Sequence, residues 1–481
     1  MNYLEKIKRI HSDWLMSNIK TDFYSGDSLI ANGNRYLTEM FSSKTFIVNS
    51  KNNHFHNSDM VKYLSLNEYD NDYPYEKLLH TNKKVIVQIG LHPISESSLP
   101  LGDTKTLFFD KLLSNKDMVK KMQRKELILL LYQGWEAEDF TNQNKTVSIV
   151  DTYKNHYEMF KDILNQYNLP KSSIIVLNSN LYGKDIKKDY GINVIYDNIL
   201  EVNSMFRGIS KDDDRYTLDY DYSVDEYLEN IKNGSKYICR LSRTKHLQRD
   251  WMLYSIFKNN WNTNSIIEHK FFKKNHILKD YGLHNNSIDF CKKIPELNYL
   301  VKFFENIDTK LVDRIKNSMP VVGSDYEKQT NFKPSTIHSN LPIPFDVYKK
   351  SIFSWVSTSL PDRPDTMFLN QSTFNPILYY HPILWFGYQN TTKYFKKCGY
   401  ESYDWLFENE DKIDNFEFAH ERFIYNLHTL NQVMSMSRDE IYNKINDNKD
   451  TLVHNRNLLL ECRSLERILT QIYEMIYETE I

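Results

Sequence analysis

The chain has 481 residues with 41% hydrophobic and 14% aromatic content, more than one hydrophobic core serves, so two or more domains and packed interiors are expected. Its 61 Lys+Arg and 63 Asp+Glu nearly cancel, which excludes a global basic field of the kind that drives indiscriminate nucleic-acid binding. The four cysteines form no CxxC pair and read as small buried hydrophobes in a reducing compartment.

No apolar run approaches the roughly 18–20 residues of a membrane span. The opening MNYLEKIKRIHSDW is charged rather than apolar, so a cytoplasmic location is the expectation. Residues 1–80 are polar, mixed and Asn-rich. From Lys84 the pattern changes. Val85–Ile89 is a short apolar run that ends at Gly90 and predicts a buried parallel strand. A helix is expected over 104–125, leaving through the basic KKMQRK. The apolar Leu127–Tyr132 predicts a second strand, 152–168 a helix stopped by Pro170, Ile174–Leu177 a third strand and Val194–Tyr196 a fourth. Strands alternating with helices imply a parallel sheet covered by helices, and residues 1–207 form the expected first lobe.

Residues 208–235 are acidic and weakly periodic, and read as a linker ending in a short helix. A second lobe over 236–415 opens with a strand at Tyr237–Leu241 and a helix over 247–260. Short helices fill 262–345. Ser351–Ser357 predicts a strand, Phe374–Tyr380 a helix, Ile383–Phe386 a strand, and 391–398 and 402–407 short helices. From 416 to 481 the pattern is helical and amphipathic, interrupted near 446–450.

Two segments carry candidate chemistry. In KYICRLSRTKHLQRDW, a strand leads through Arg240, Ser242, Arg243, Lys245 and Arg249 into a helix. Strand-to-helix turns of open α/β sheets lie where ligands bind, and a helix start adds N–H donors and partial positive charge. Guanidinium groups match phosphate geometry. The segment is either a diphosphate seat or a solvated basic loop. In the second segment, 351–388, Asn370, Gln371, Ser372 and Thr373 form a polar turn before a helix. Such residues either cap the helix or hold a ligand hydroxyl.

Together these segments resemble a group of GT-B glycosyltransferase-like proteins frequent in phages and large viruses. That group has a strand running into an Asn-Arg-Arg-x-x-x-His-Arg turn. Here Ser242, Arg243, Thr244, Gln248 and Arg249 correspond, keeping both end arginines. Its strand, acidic loop, Ser/Thr-Glu-Lys-Thr-Phe-Lys-Pro-Ile turn and His-Pro-Phe-Ile run are matched by FSWVSTS (353–359), NQSTFNPI (370–377) and HPIL (381–384). The turn also resembles the donor-binding turn of fucosyltransferases. The likeness spans about residues 170–430, and Gly399, Tyr400, Tyr403 and Asp404 extend it. Two glutamates of the group fall on Thr358 and Gln371, and its turn lysine on Ser372.

The resemblance implies an α/β fold of two Rossmann-like lobes with a helical C-terminal extension. It implies transfer of a sugar from a nucleotide-sugar donor to a hydroxyl acceptor such as a glycan, with no cofactor and no catalytic metal. Arg240, Ser242, Arg243, Lys245, Arg249 and Asn370–Thr373 would face the donor, and Arg243 and Arg249 would neutralise the departing diphosphate. The acceptor needs a base from the first lobe, and His92, Glu136, Glu138 and Asp139 follow predicted strands. Two alternatives stand beside this: a degenerate scaffold that binds without transfer, suggested by Thr358 and Gln371, and glycosylation of modified bases in viral DNA, suggested by KKMQRK and Arg240–Arg249. Weaker metal signals are Asp219–Asp221 (DYD) and the His54/His56 pair.

Overall fold

The computed structural model describes residues 45–48, 84–90, 113–133, 156–183, 190–198, 201, 222–242, 247–269, 271–278, 285–321, 346–358, 366–408, 410–461 and 463–477. The chain divides into two compact units: Met1–Arg207 with Cys462–Ile481, and Gly208–Glu461.

The first unit is built on a five-stranded sheet, β1 (Thr45–Val48), β2 (Lys84–Gly90), β3 (Leu127–Gln133), β4 (Ile174–Asn178) and β5 (Asn193–Tyr196), in that spatial order. All four pairings are parallel. Every residue of β4 is buried, as a strand covered on both faces requires. Helix α1 (Lys116–Gln123) begins where Asn115 accepts from the amides of Asp117 and Met118 at 3.0 and 3.2 Å. The helix expected over 104–125 is therefore interrupted at a cap, and its residues 104–112 lie outside the described ones. Helix α2 (His156–Gln166) precedes β4.

The second unit opens with α3 (Val224–Lys232), started by a capping box between Ser223 and Glu226. This helix is no free connector: Tyr227 and Ile231 are fully buried, and Tyr227 donates its hydroxyl to the carbonyl of Ile352 at 2.6 Å. Then follow β6 (Lys236–Ser242), α4 (Leu247–Lys258), β7 (Ser265–His269), α5 (Lys274–Leu278), α6 (Asn285–Lys293), α7 (Val301–Glu305), α8 (Thr309–Asn317), α9 (Asp346–Lys349), β8 (Ser351–Ser357), α10 (Gln371–Ile377), β9 (Ile383–Phe386), α11 (Thr391–Lys397) and α12 (Glu410–Asn415). Helices α13 (Ala419–Ser435), α14 (Arg438–Asp447) and α15 (Lys449–Glu461) complete it, while α16 (Arg463–Tyr477) counts with the first unit.

The sheet of the second unit has four parallel strands in the order β7-β6-β8-β9. From β6 the chain passes through α4 to β7 on one side, and from β7 through α5–α9 to β8 on the other. Its winding thus reverses between β6 and β8. Outside the carboxyl ends of strands, at such a reversal, α/β sheets open a crevice for ligands. Helix α4 runs through the middle of this unit. Gln248 through Ile256 are all buried, so it is enclosed on every side. Tertiary groups hold the outer helices: buried Arg422 of α13 donates to the carbonyls of Gly387 at 3.1 Å, Phe416 at 2.6 Å and Glu417 at 2.7 Å. Parallel sheets with intervening helices are what the alternating pattern implies.

Several elements differ from expectation. Strand β7 is absent from the sequence reading because SIIEH carries only two apolar residues and ends in Glu268 and His269, both buried here. Helix α10 starts three residues earlier than expected, where Asn370 caps it, and ends before Tyr380, which takes the left-handed φ of 61°. The helix expected over 402–407 is a turn, in which the Leu406 and Phe407 amides both donate to the Tyr403 carbonyl at 2.9 Å and the Tyr403 amide donates to the Glu410 carboxyl at 3.0 Å.

Candidate functional site

The site is assembled where three parallel strands of the second unit end. Arg240 lies in β6 rather than in the following turn, and is 1% exposed. Residues 243–246, including Arg243 and Lys245, lie outside the described residues, and of Ser242 only the strand backbone is described. Helix α4 begins at Leu247, so Arg249 occupies its first turn, 8% exposed.

Successive helical residues point about 100° apart, and the first turn of α4 uses this to reach both sides of β6. Gln248 donates its side-chain amide to the carbonyl of Thr358 at 2.9 Å, and Arg249 donates from Nε to the hydroxyl of Ser357 at 3.3 Å. Both acceptors belong to the end of β8. Asp250 turns the other way: its Oδ1 lies 2.9 Å from His269 Nε2 at the end of β7, and its Oδ2 meets His276 Nδ1 of α5 and the Lys273 amide, the latter at 3.2 Å. The ends of β7, β6 and β8 are thereby laced together by one helical turn.

The electrostatics follow from this enclosure. Burial, reinforced by the nearby positive charge of Arg249, lowers the Arg240 guanidinium to about 9, while Asp250 opposes the shift. Arg240 and Arg249 are two buried like charges near a helix start, with the buried Asp250 as a nearby opposite charge. Burial also pushes His269 below the usual histidine range, and Arg240 and Arg249 add to it against the pull of Asp250. Thr358 Oγ1 and His269 Nδ1, in side chains 2% and 1% exposed, have no hydrogen-bond partner. Such orphans are uncommon in folded interiors.

The second candidate segment reaches the same edge. Asn370 caps α10, accepting from the Thr373 amide at 3.1 Å and the Thr373 hydroxyl at 3.3 Å. Its Nδ2 lies 3.5 Å from the Ser357 carbonyl. Asn370 and the buried Thr373 are thus occupied in capping. Gln371 and Ser372 open α10. Arg240, the Ser242 backbone, Arg249 and Asn370–Thr373 therefore share the carboxyl edge of one sheet. His92, Glu136, Glu138 and Asp139 lie outside the described residues, as do His54, His56, Asp219 and Asp221.

His381 plays a different part. It is fully buried, donates from Nε2 to the Tyr348 carbonyl at 2.6 Å, and accepts the Ser354 hydroxyl on Nδ1 at 3.0 Å. It ties β8 to the entry of β9. The basic exit of α1 is likewise structural in part: Lys121 is buried, and Arg124 forks onto Glu126 at 2.9 and 2.8 Å. Among the described residues no group of three or more His, Cys, Asp or Glu is arranged to hold a metal, and no helix is long and apolar enough to cross a membrane.

No family model matches the chain, and neither a curated protein nor a solved structure does. The residues that sequence reasoning missed are Asp250, His269 and His276. Their only linear trace is Asp250 in the first turn of α4.

Proposed function

We propose that the protein is a glycosyltransferase of the GT-B type, moving a sugar from a nucleotide donor to a hydroxyl acceptor, with the second unit on the donor side. The observation that carries this reading is the pair Arg240 and Arg249, buried together at the reversal between β6 and β8 beside the start of α4. A nucleoside diphosphate leaves with negative charge, and preorganised guanidiniums and a helix start stabilise it without moving. Gln371 would hydrogen-bond the donor ribose in place of a glutamate. The acceptor base would come from His92, Glu136, Glu138 or Asp139 of the first unit.

The test is calorimetry and thermal shift with nucleoside diphosphates, followed by turnover of a panel of nucleotide sugars. The wild type binds, and Arg249→Ala weakens binding at least about tenfold, the loss of one charge-assisted contact. Binding that is identical in wild type and Arg249→Ala removes the seat. A second reading has its own support: Thr358 and Gln371 are uncharged where the resembled group carries glutamates. A protein that binds nucleotide yet turns over no sugar on the panel is the binding module of that reading.

A further inference from the structure

Asp250 holds two imidazoles at once, His269 on Oδ1 at 2.9 Å and His276 on Oδ2, with the Lys273 amide on Oδ2 at 3.2 Å. A carboxylate that accepts at His269 Nε2 fixes the tautomer of the neutral ring. The proton sits on Nε2, and Nδ1 keeps its lone pair. That Nδ1 is buried and has no partner. The strand backbone pins the ring in place, because His269 and Val321 exchange both backbone hydrogen bonds, at 2.8 and 2.9 Å. The charged and titratable groups facing it are Arg240 from β6, Arg249 and Asp250 from α4, and His276 from α5.

In this arrangement the two guanidiniums oppose a proton on His269, and Asp250 favours one. An anion bound at the start of α4 cancels the opposing field and leaves Asp250 in place. We propose that anion binding at this seat is coupled to uptake of one proton from solvent by Nδ1 of His269. The bond formed is N–H at Nδ1; no other bond changes. The ring becomes a cation with two donors, one held by Asp250 and the other free to donate to the bound anion. The proposal rests on the reading of Arg240 and Arg249 as an anion seat. It adds that the seat prefers its ligand at lower pH, by up to about tenfold in affinity per pH unit between the free and bound titrations of His269.

The experiment is titration calorimetry of the full chain with inorganic pyrophosphate at intervals from pH 5 to pH 8, repeated at each pH in buffers of differing ionisation heat. Read at a pH between the two His269 midpoints, the wild type should take up more protons per site than His269→Gln, whose amide can still donate to Asp250: about half a proton for a one-unit rise of the midpoint and close to one for a rise of more than about two units. Equal proton counts with binding retained overturn the coupling and leave the seat standing. Absence of pyrophosphate binding in the wild type overturns both. Should His269→Gln fail to fold, side-chain NMR of the histidines in the wild type decides. One buried imidazole should titrate about a pH unit or more higher with pyrophosphate than without, and unmoved midpoints for every histidine overturn the proposal.

Discussion

The side-chain amide of Gln248 donates to the backbone carbonyl of Thr358 across 2.9 Å, tying the start of α4 to the end of β8. Both groups are buried, so the bond has no water to replace it. Gln248→Ala leaves the Thr358 carbonyl unsatisfied and should lower stability by about 1–3 kcal/mol. Gln248→Glu should be worse, since it sets a buried carboxylate against a carbonyl oxygen. Urea denaturation measures both, and an unshifted midpoint in the two variants would contradict the arrangement.

The hydroxyl of Thr358 invites the opposite experiment. Its Oγ1 is buried without a partner, so Thr358→Val keeps the shape and removes an unsatisfied group. Stability should stay level or rise by on the order of 1 kcal/mol. If the hydroxyl contacts a ligand, nucleotide affinity should fall in the same variant. A drop in melting temperature would mean that the hydroxyl serves the fold.

His381 gives a pH signature. Burial lowers it to about 4, against the hydrogen bond to the Tyr348 carbonyl that favours the charged ring. The folded pKa lies below the unfolded one, so its contribution is complete above about pH 6.5 and is lost as pH falls towards about 4. The total is on the order of 3 kcal/mol. The acid limb of the stability profile should flatten in His381→Gln. An unchanged limb would assign acid unfolding to other groups.

Glu410 titrates in the other direction. It is 2% exposed, one oxygen accepts from the Tyr403 amide, and the other has no partner. Burial, with Asp414 next, raises its pKa well above the usual carboxylate value. Stability therefore falls as pH rises from the unfolded value towards the folded one. Glu410→Gln retains an acceptor for Tyr403 and removes the ionisation. Its melting temperature should exceed the wild type's, by a margin that widens from pH 5 to pH 8. A margin that narrows with pH would contradict the raised pKa.

The strands that sequence exposes best are those sealed on both faces. Leu127–Leu131 and Ile174–Leu177 are continuous apolar runs because they lie inside a sheet covered on both sides. Strand β7 escapes notice because its last two residues are polar, and their burial depends on partners elsewhere in the chain. Asp250 and His269 stand 19 residues apart, and Asp250 and His276 stand 26 apart. No local periodicity encodes those pairings. The site shows the same division. Asn370 announces a helix start by residue type, and it is one. Arg249 falls inside the helix expected over 247–260, but its burial against Ser357 depends on the end of β8, more than 100 residues away. The end of α10 is set from a distance, because Arg456 of α15 donates to the Leu378 carbonyl at 3.0 Å and to the Tyr380 hydroxyl at 2.9 Å.

Helix α16 belongs to a unit whose other pieces precede Arg207. Arg467 forks onto the fully buried Asp197 at 3.0 and 2.9 Å, and Ser464 donates to Glu201. During synthesis those two carboxylates emerge from the ribosome long before the arginine and serine that receive them. The early unit must wait, incomplete, while more than 250 residues of the other unit are translated. A nascent chain stopped at Glu461 would hold a finished second unit and an unfinished first one.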